Sequence, residues 1–270
     1  THSYSSAASD VYKRQQVTKK HQAEKNHLSL EQKLQQVLKV NNPSKDFIYN
    51  LISEQIKNKK ADINPEHLKM IKRRIETPEV SEWFKDIEIR KKLKVIELGC
   101  SFGFLAIAES LFGKLLIKDW KGYDCDATAI EIINNIKSIL DSDHQINLDK
   151  YEFTHSAVTS FKSKSVYSNN KPLLSSRIAK TKSKEFNQRV PNINYENLPA
   201  GDILLMDIEG EEINIDLDKI SFDYCILETN TEQATNKIIK DYMSRAKRFK
   251  IIKNHKLTKD KNLFFIRKKI

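Results

Sequence analysis

Val95-Ile96-Glu97-Leu98-Gly99-Cys100-Ser101-Phe102-Gly103-Phe104 is the stretch on which the fold turns. An apolar run reaches an acidic residue, bends between two glycines, and continues as a helical pattern over 105–111. A strand that turns sharply into a helix while a ligand approaches its backbone needs positions without a Cβ, and Gly99 and Gly103 supply them. A second apolar run, 120–123, ends in the carboxylate Asp124, about twenty residues past the bend.

Beyond this unit, strand and helix patterns alternate. A helix is expected over 127–140, a strand over 151–153 with Ala157 and Val158 beyond it, and further strands over 203–206 and 224–227. A helix over 231–245 precedes a closing pair of strands, 249–252 and 263–266. Strands that alternate with helices imply a mainly parallel, doubly wound sheet. The closing pair, joined by a short polar segment, implies an antiparallel hairpin at the sheet edge. Residues 160–197 have little hydrophobic periodicity and many Ser, Lys and Asn. They read as an irregular substrate lid or a partly disordered insertion.

The N-terminal third is different. Residues 1–15, THSYSSAASDVYKRQ, resemble translated sequencing-adapter sequence and are expected to be a non-native or disordered leader. Residues 16–90 read as a polar helical segment. Leu28, Leu30, Leu34, Val37 and Leu38 form one stripe; Phe47, Leu51, Ile52 and Ile56 form another after Ser44 as N-cap; a third helix follows Pro65. The catalytic domain is expected over 91–270.

The 270 residues carry a net charge of +11, but 36 acidic residues are interleaved among 47 basic ones. Such diffuse charge points only weakly to a nucleic-acid partner. Cys100, Cys125 and Cys225 form no CxxC pair and read as buried free thiols. No apolar stretch approaches the ~18 residues of a membrane span. A cytoplasmic location is the resulting expectation.

The motif chemistry favours one cofactor. A nicotinamide site would show G-x-G-x-x-G against a pyrophosphate; here the spacing is G-x-x-x-G with Glu97 ahead of it. S-adenosylmethionine has no phosphate to cradle. Glu97 would face its amino-acid end, and Asp124 would accept from both ribose hydroxyls. A second constellation is Met206-Asp207-Ile208-Glu209-Gly210-Glu211-Glu212, where a strand ends in an acidic cluster. Ligands bind outside the carboxyl ends of strands in open α/β sheets, which brings Asp207 beside the methyl donor. Glu209 and Glu228 could line the same crevice. Glu211 and Glu212 read as solvent-facing residues that cap the next helix.

These residues resemble the FkbM family of methyltransferases. Its pattern is similar to D-x-G-A-N-x-G at the first turn, E-P-N-P after the second strand and D-x-E-G-x-E at the fourth. Glu97, Gly99, Cys100, Ser101 and Gly103 occupy the first, Asp124 and Cys125 begin the second, and Asp207, Glu209, Gly210 and Glu212 keep the third. His155-Ser156-Ala157-Val158 resembles the family's A-V step, and Glu228 its strand-five acidic end.

The resemblance covers about residues 93–230 and implies a Rossmann-like class I methyltransferase: a seven-stranded, mainly parallel sheet with a C-terminal antiparallel hairpin. It implies cofactor contacts from Glu97, Gly99, Cys100, Ser101, Gly103, Asp124, Cys125, Ser156, Ala157 and Asp207. It implies O-methylation of a sugar or small-metabolite hydroxyl, with Asp207 as base or orienting residue and Glu209 and His155 as further candidates. A divalent ion on Asp207, Glu209 or Glu228 is compatible with the sequence but not demanded by it. The rival readings are a nucleic-acid methyltransferase, suggested by the charge, and a non-catalytic Rossmann-like binding module.

Overall fold

The computed structural model describes residues 44–59, 91–112, 115–144, 146–169, 177–244, 248–258 and 261–268, with isolated positions 68, 69, 71, 72, 84 and 87. The expected leader at 1–15, the stripe from Leu28 to Leu38 and most of the helix expected after Pro65 lie outside the described residues. Residues 44–270 form one compact unit.

Helix α1 is Lys45–Asn58, and its sequence accounts for both start and packing. The Ser44 hydroxyl accepts from the Phe47 N–H at 3.1 Å, as an N-cap should. Ile48, Leu51, Ile52 and Ile56 recur at helical spacing and are buried. They join the core formed by β1 (Leu93–Leu98), α2 (Phe104–Phe112), β2 (Ile117–Asp124) and α3 (Ala127–His144).

The sheet continues with β3 (Tyr151–His155), β8 (Ile203–Met206), β9 (Tyr224–Thr229), β10 (Phe249–Lys256) and β11 (Asn262–Lys268). Helix α4 is Glu232–Ser244. Strand order is β10-β11-β9-β8-β1-β2-β3. The pairs among β3, β2, β1, β8 and β9 are parallel, while β9–β11 and β11–β10 are antiparallel. This is the Rossmann-like, mainly parallel seven-stranded sheet expected from the sequence, C-terminal antiparallel hairpin included.

Strand alternation divides the core between two faces. Val95, Trp120, Ile203, Leu205, Ile226 and Phe265 face α1, α2 and α3. Ile96, Leu98, Leu204, Met206, Leu227 and Phe264 face the other way, with Ile238 of α4 and Phe222. Both faces are covered, which is why the central strands β8 and β9 are buried along their whole length.

The segment expected to be irregular is folded where it is described. It forms β5 (Ser165–Ser168), β6 (Ile178–Ala179) and β7 (Gln188–Asn194), which join β4 (Ala157–Thr159) in a small second sheet in the order β4-β7-β5-β6. Its strands are short, and the apolar residues of β5 and β7 that are fully buried are Val166 and Val190, packed with Ala157, Phe161, Ile178 and Cys125. That explains the weak periodicity. A core of so few apolar positions leaves most of the segment polar.

Candidate functional site

The strand order reverses between β1 and β8, because the chain runs outward from β1 to β2 and β3 on one side and resumes with β8 on the other. The carboxyl ends flanking such a switch point are where open α/β sheets bind ligands. Gly99 stands there at φ 78°. A Cβ on it would lie 1.8 Å from the Asp207 carbonyl oxygen. The glycine is therefore needed to let β1 and β8 approach each other, a demand separate from any ligand. Gly103 is needed for a different contact: a Cβ there would meet Ile133 Cδ1 of α3 at 2.5 Å. Ser101, between them, holds a left-handed φ of 49°.

Asp124 closes against this bend. Its Oδ2 accepts the Ser101 N–H at 2.7 Å and its Oδ1 accepts the Asp126 N–H at 2.8 Å. Each oxygen keeps a lone pair for a further donor. Burial pushes this carboxyl up to about 6, opposed by those two backbone hydrogen bonds and aided by the charges of Asp126 and Asp207. Glu97 is 6% exposed, and its Oε2 accepts the Trp120 indole N–H at 2.8 Å. Burial pushes it up to about 8; the indole opposes the shift, and Asp124 and Asp207 add to it. Carboxylates from the ends of β1 and β2 thus both feel the charge of Asp207 at the end of β8.

Asp207 leaves β8 with its N–H on the Leu98 carbonyl at 2.9 Å, and its Oδ1 accepts from Asn230 Nδ2 at 3.1 Å. Glu209 follows at φ 50°. Burial raises its carboxyl, and Asp207 adds to the shift, while Lys261 and Arg177 oppose it. Glu211 and Glu212 depart from the expected solvent-facing caps: both are buried. Glu212 accepts the Gly210 N–H at 2.6 Å and the Asn230 N–H at 2.8 Å, so it ties the loop after β8 to the end of β9. Glu211 accepts from the Ser160 hydroxyl at 3.2 Å, which ties the same loop to the small sheet. A short loop with few apolar contacts needs such internal acceptors for its backbone donors.

The carboxylates compatible with a divalent ion are met differently. Lys261 Nζ lies 3.3 Å from Glu228 Oε1 and 3.9 Å from Glu209 Oε1, so an ammonium fills the place considered for a divalent ion. Among the described residues no group of three or more His, Cys, Asp or Glu is arranged to hold a metal.

His155 pairs in register with Asp124, and its Nε2 lies 3.2 Å from the Cys125 carbonyl oxygen. The Ser156 hydroxyl lies 3.1 Å from both the Ala157 and the Pro191 carbonyl oxygens, and Ala157 is buried in the core of the small sheet. Cys100 and Cys225 are buried free thiols, as expected, but Cys125 is half-buried at the rim. Burial holds the Cys100 thiol well above its ordinary value, which leaves its main chain as its means of contact.

Trp120, Asn230 and Lys261 were not singled out from sequence. Asn230 was within reach, since it follows a strand's carboxyl end. Lys261 was not, because it arrives from a hairpin more than thirty residues from Glu228.

No family model matches the chain, and no curated protein matches it. Among solved structures it is similar to a ribosomal protein L11 methylase from Lactobacillus delbrueckii subsp. bulgaricus, at 12% identity over 72% of this chain and 80% of that one, TM-score 0.41. It is also similar to fibrillarin from Aeropyrum pernix, which holds natively bound S-adenosyl-L-methionine, at 12% identity over 70% and 74%, TM-score 0.42. A third is a precorrin-6y C5,15-methyltransferase from Geobacter metallireducens, at 11% identity over 71% and 87%, TM-score 0.41. Among the described residues no helix is long and apolar enough to cross a membrane.

Proposed function

We propose that this chain is an S-adenosylmethionine-dependent methyltransferase that acts on a sugar or small-metabolite hydroxyl, in the manner of the FkbM family it resembles. The observation that carries the reading is the convergence of Glu97, Asp124 and Asp207 at the switch point, where Glu97 feels the charge of both aspartates and Asp124 feels that of Asp207. Such a set suits a cation and repels a pyrophosphate. A sulfonium nucleoside with an ammonium group matches that chemistry. Asp124, with one free lone pair on each oxygen, would take the ribose hydroxyls. Glu97, raised to about 8 by burial, would give up its proton when the cofactor's ammonium group arrives. Cys100 and Ser101 would contribute main chain, and His155, Ser156 and Ala157 would border the base.

The bound cofactor would supply a methyl group on sulfur, which passes to the acceptor oxygen as the carbon–sulfur bond breaks with its electron pair staying on sulfur. The acceptor proton then needs a base, and Asp207 is the assigned group. Its Oδ1 accepts from Asn230 Nδ2, a bond that would fix the carboxylate's orientation for that role. Glu209, tethered by Lys261, would border the acceptor.

Calorimetry with S-adenosylmethionine tests this. Binding by the unsubstituted chain that is lost in Asp124→Ala is the expected result. Absence of binding by a folded chain would favour the non-catalytic module instead.

A further inference from the structure

The charge of the small sheet is not the diffuse background of the chain. Its described residues between 160 and 190 include seven basic residues against one acidic, Glu185, whereas the whole chain has 47 against 36. All seven are exposed, and none is neutralised by an ion pair among the described residues. They include Lys162 and Lys164 ahead of β5, Arg177 ahead of β6, and Arg189 on β7.

The sheet's two faces divide cleanly. Val166 and Val190 pair directly and point into the small core. The opposite face carries the direct cross-strand pair Tyr167 and Arg189, with Ala179 beside Tyr167 and Pro191 beside Ser165. Arg189 Nε donates to the Ser165 hydroxyl at 3.0 Å on the same face. Arg189 and Pro191 are exposed and Tyr167 half-exposed. An aromatic residue and an arginine on neighbouring strands of one outward face, with exposed lysines on the flanking segments, offer stacking groups inside a positive field.

The small sheet meets the candidate site by its inner face and its edge. Cys125, next to Asp124, packs with Val166 and Val190; at the edge Ser160 is bonded to Glu211, and Arg177 lowers the charge cost felt by Glu209. The acidic floor would repel phosphates, so a polyanion must be held beside it and not over it. Resting on the methyltransferase reading, we infer that the outer face docks single-stranded RNA, whose strand passes over the edge at Ser160 and Arg177 to bring a ribose hydroxyl to Asp207. Phosphates run along the lysines, and bases stack on Tyr167 and Arg189. Stacking favours a nucleic acid over a sulfated glycan, and the need for a ribose hydroxyl favours RNA over DNA.

The test uses the full chain and a fluorescent single-stranded RNA of about ten nucleotides, read by anisotropy across a salt series. Log affinity should fall linearly with log salt, by about 0.7 for each phosphate neutralised. Tyr167→Ala should weaken binding ~5- to ~150-fold, and Tyr167→Phe should restore it. Arg189→Ala, at an exposed site, should weaken it independently, and Lys162→Glu with Lys164→Glu should flatten the salt slope. Binding of S-adenosylmethionine should be unchanged in all of these. Wild-type RNA affinity in Tyr167→Ala and Arg189→Ala, or equal displacement by a sulfated glycan, overturns the proposal. A chain that binds S-adenosylmethionine but no RNA at low salt also overturns it, and leaves the methyltransferase reading standing. Failure to bind S-adenosylmethionine falls on that reading instead.

Discussion

Replacing Gly99 by alanine should be among the most damaging single changes available to this chain, and a matched change at Gly210 shows why. Both residues have positive φ, 78° and 109°, a region that costs an L side chain about 1–2 kcal/mol. The gain from a less flexible unfolded chain returns about 0.4–1 kcal/mol in each case. At Gly210 that is the whole effect, since nothing lies within 4 Å of the added Cβ, and a net cost of about 1 kcal/mol is expected. At Gly99 the added Cβ would sit 1.8 Å from the Asp207 carbonyl oxygen, which is main chain and cannot swing aside. Forced repacking adds about 1–3 kcal/mol, for a net cost of about 2–4 kcal/mol. In a domain of this size that lowers Tm by about 4–16 °C. Urea unfolding of both variants at one pH is the assay. Equal losses, within about 0.5 kcal/mol, would refute the claim that Gly99 is required by the approach of β8 and not merely by its own backbone angle.

Glu97 has an ordinary value of 4.5 unfolded but is raised to about 8 when folded, so between those limits the unfolded chain holds fewer protons. Stability of the chain without ligand should therefore fall as pH rises through that window, by at most about 1.4 kcal/mol per pH unit, and Glu97→Gln should remove that part of the slope in urea titrations at several pH values. Glu212→Ala leaves the Gly210 and Asn230 N–H groups without their acceptor and should cost about 2–5 kcal/mol by the same measurement; a loss below about 1 kcal/mol would show that water replaces the carboxylate freely. Asp207→Asn should lower kcat by about 10²-fold or more while changing the calorimetric Kd for S-adenosylmethionine only slightly; parallel losses in both would make Asp207 a cofactor ligand and not a base.

The sheet and its bend were legible in the sequence because their determinants are local. Apolar runs of strand length, the Gly99–Gly103 spacing and the carboxylate after 120–123 each act over a few residues. The structure returned them as β1, β2 and the turn between β1 and α2. The Ser44 cap is of the same kind, since it reaches only to Phe47. The small sheet escaped notice because two buried valines are too few to impose a period. The roles of the acidic cluster were beyond reach for another reason. Whether Glu212 meets water or two backbone N–H groups, and whether Glu228 and Glu209 face a metal or the ammonium of Lys261, depends on segments eighteen to more than thirty residues apart along the chain. Sequence determines what a residue can donate, accept or bury. Which partner stands opposite, and so the charge it meets, is set by the packing of distant segments.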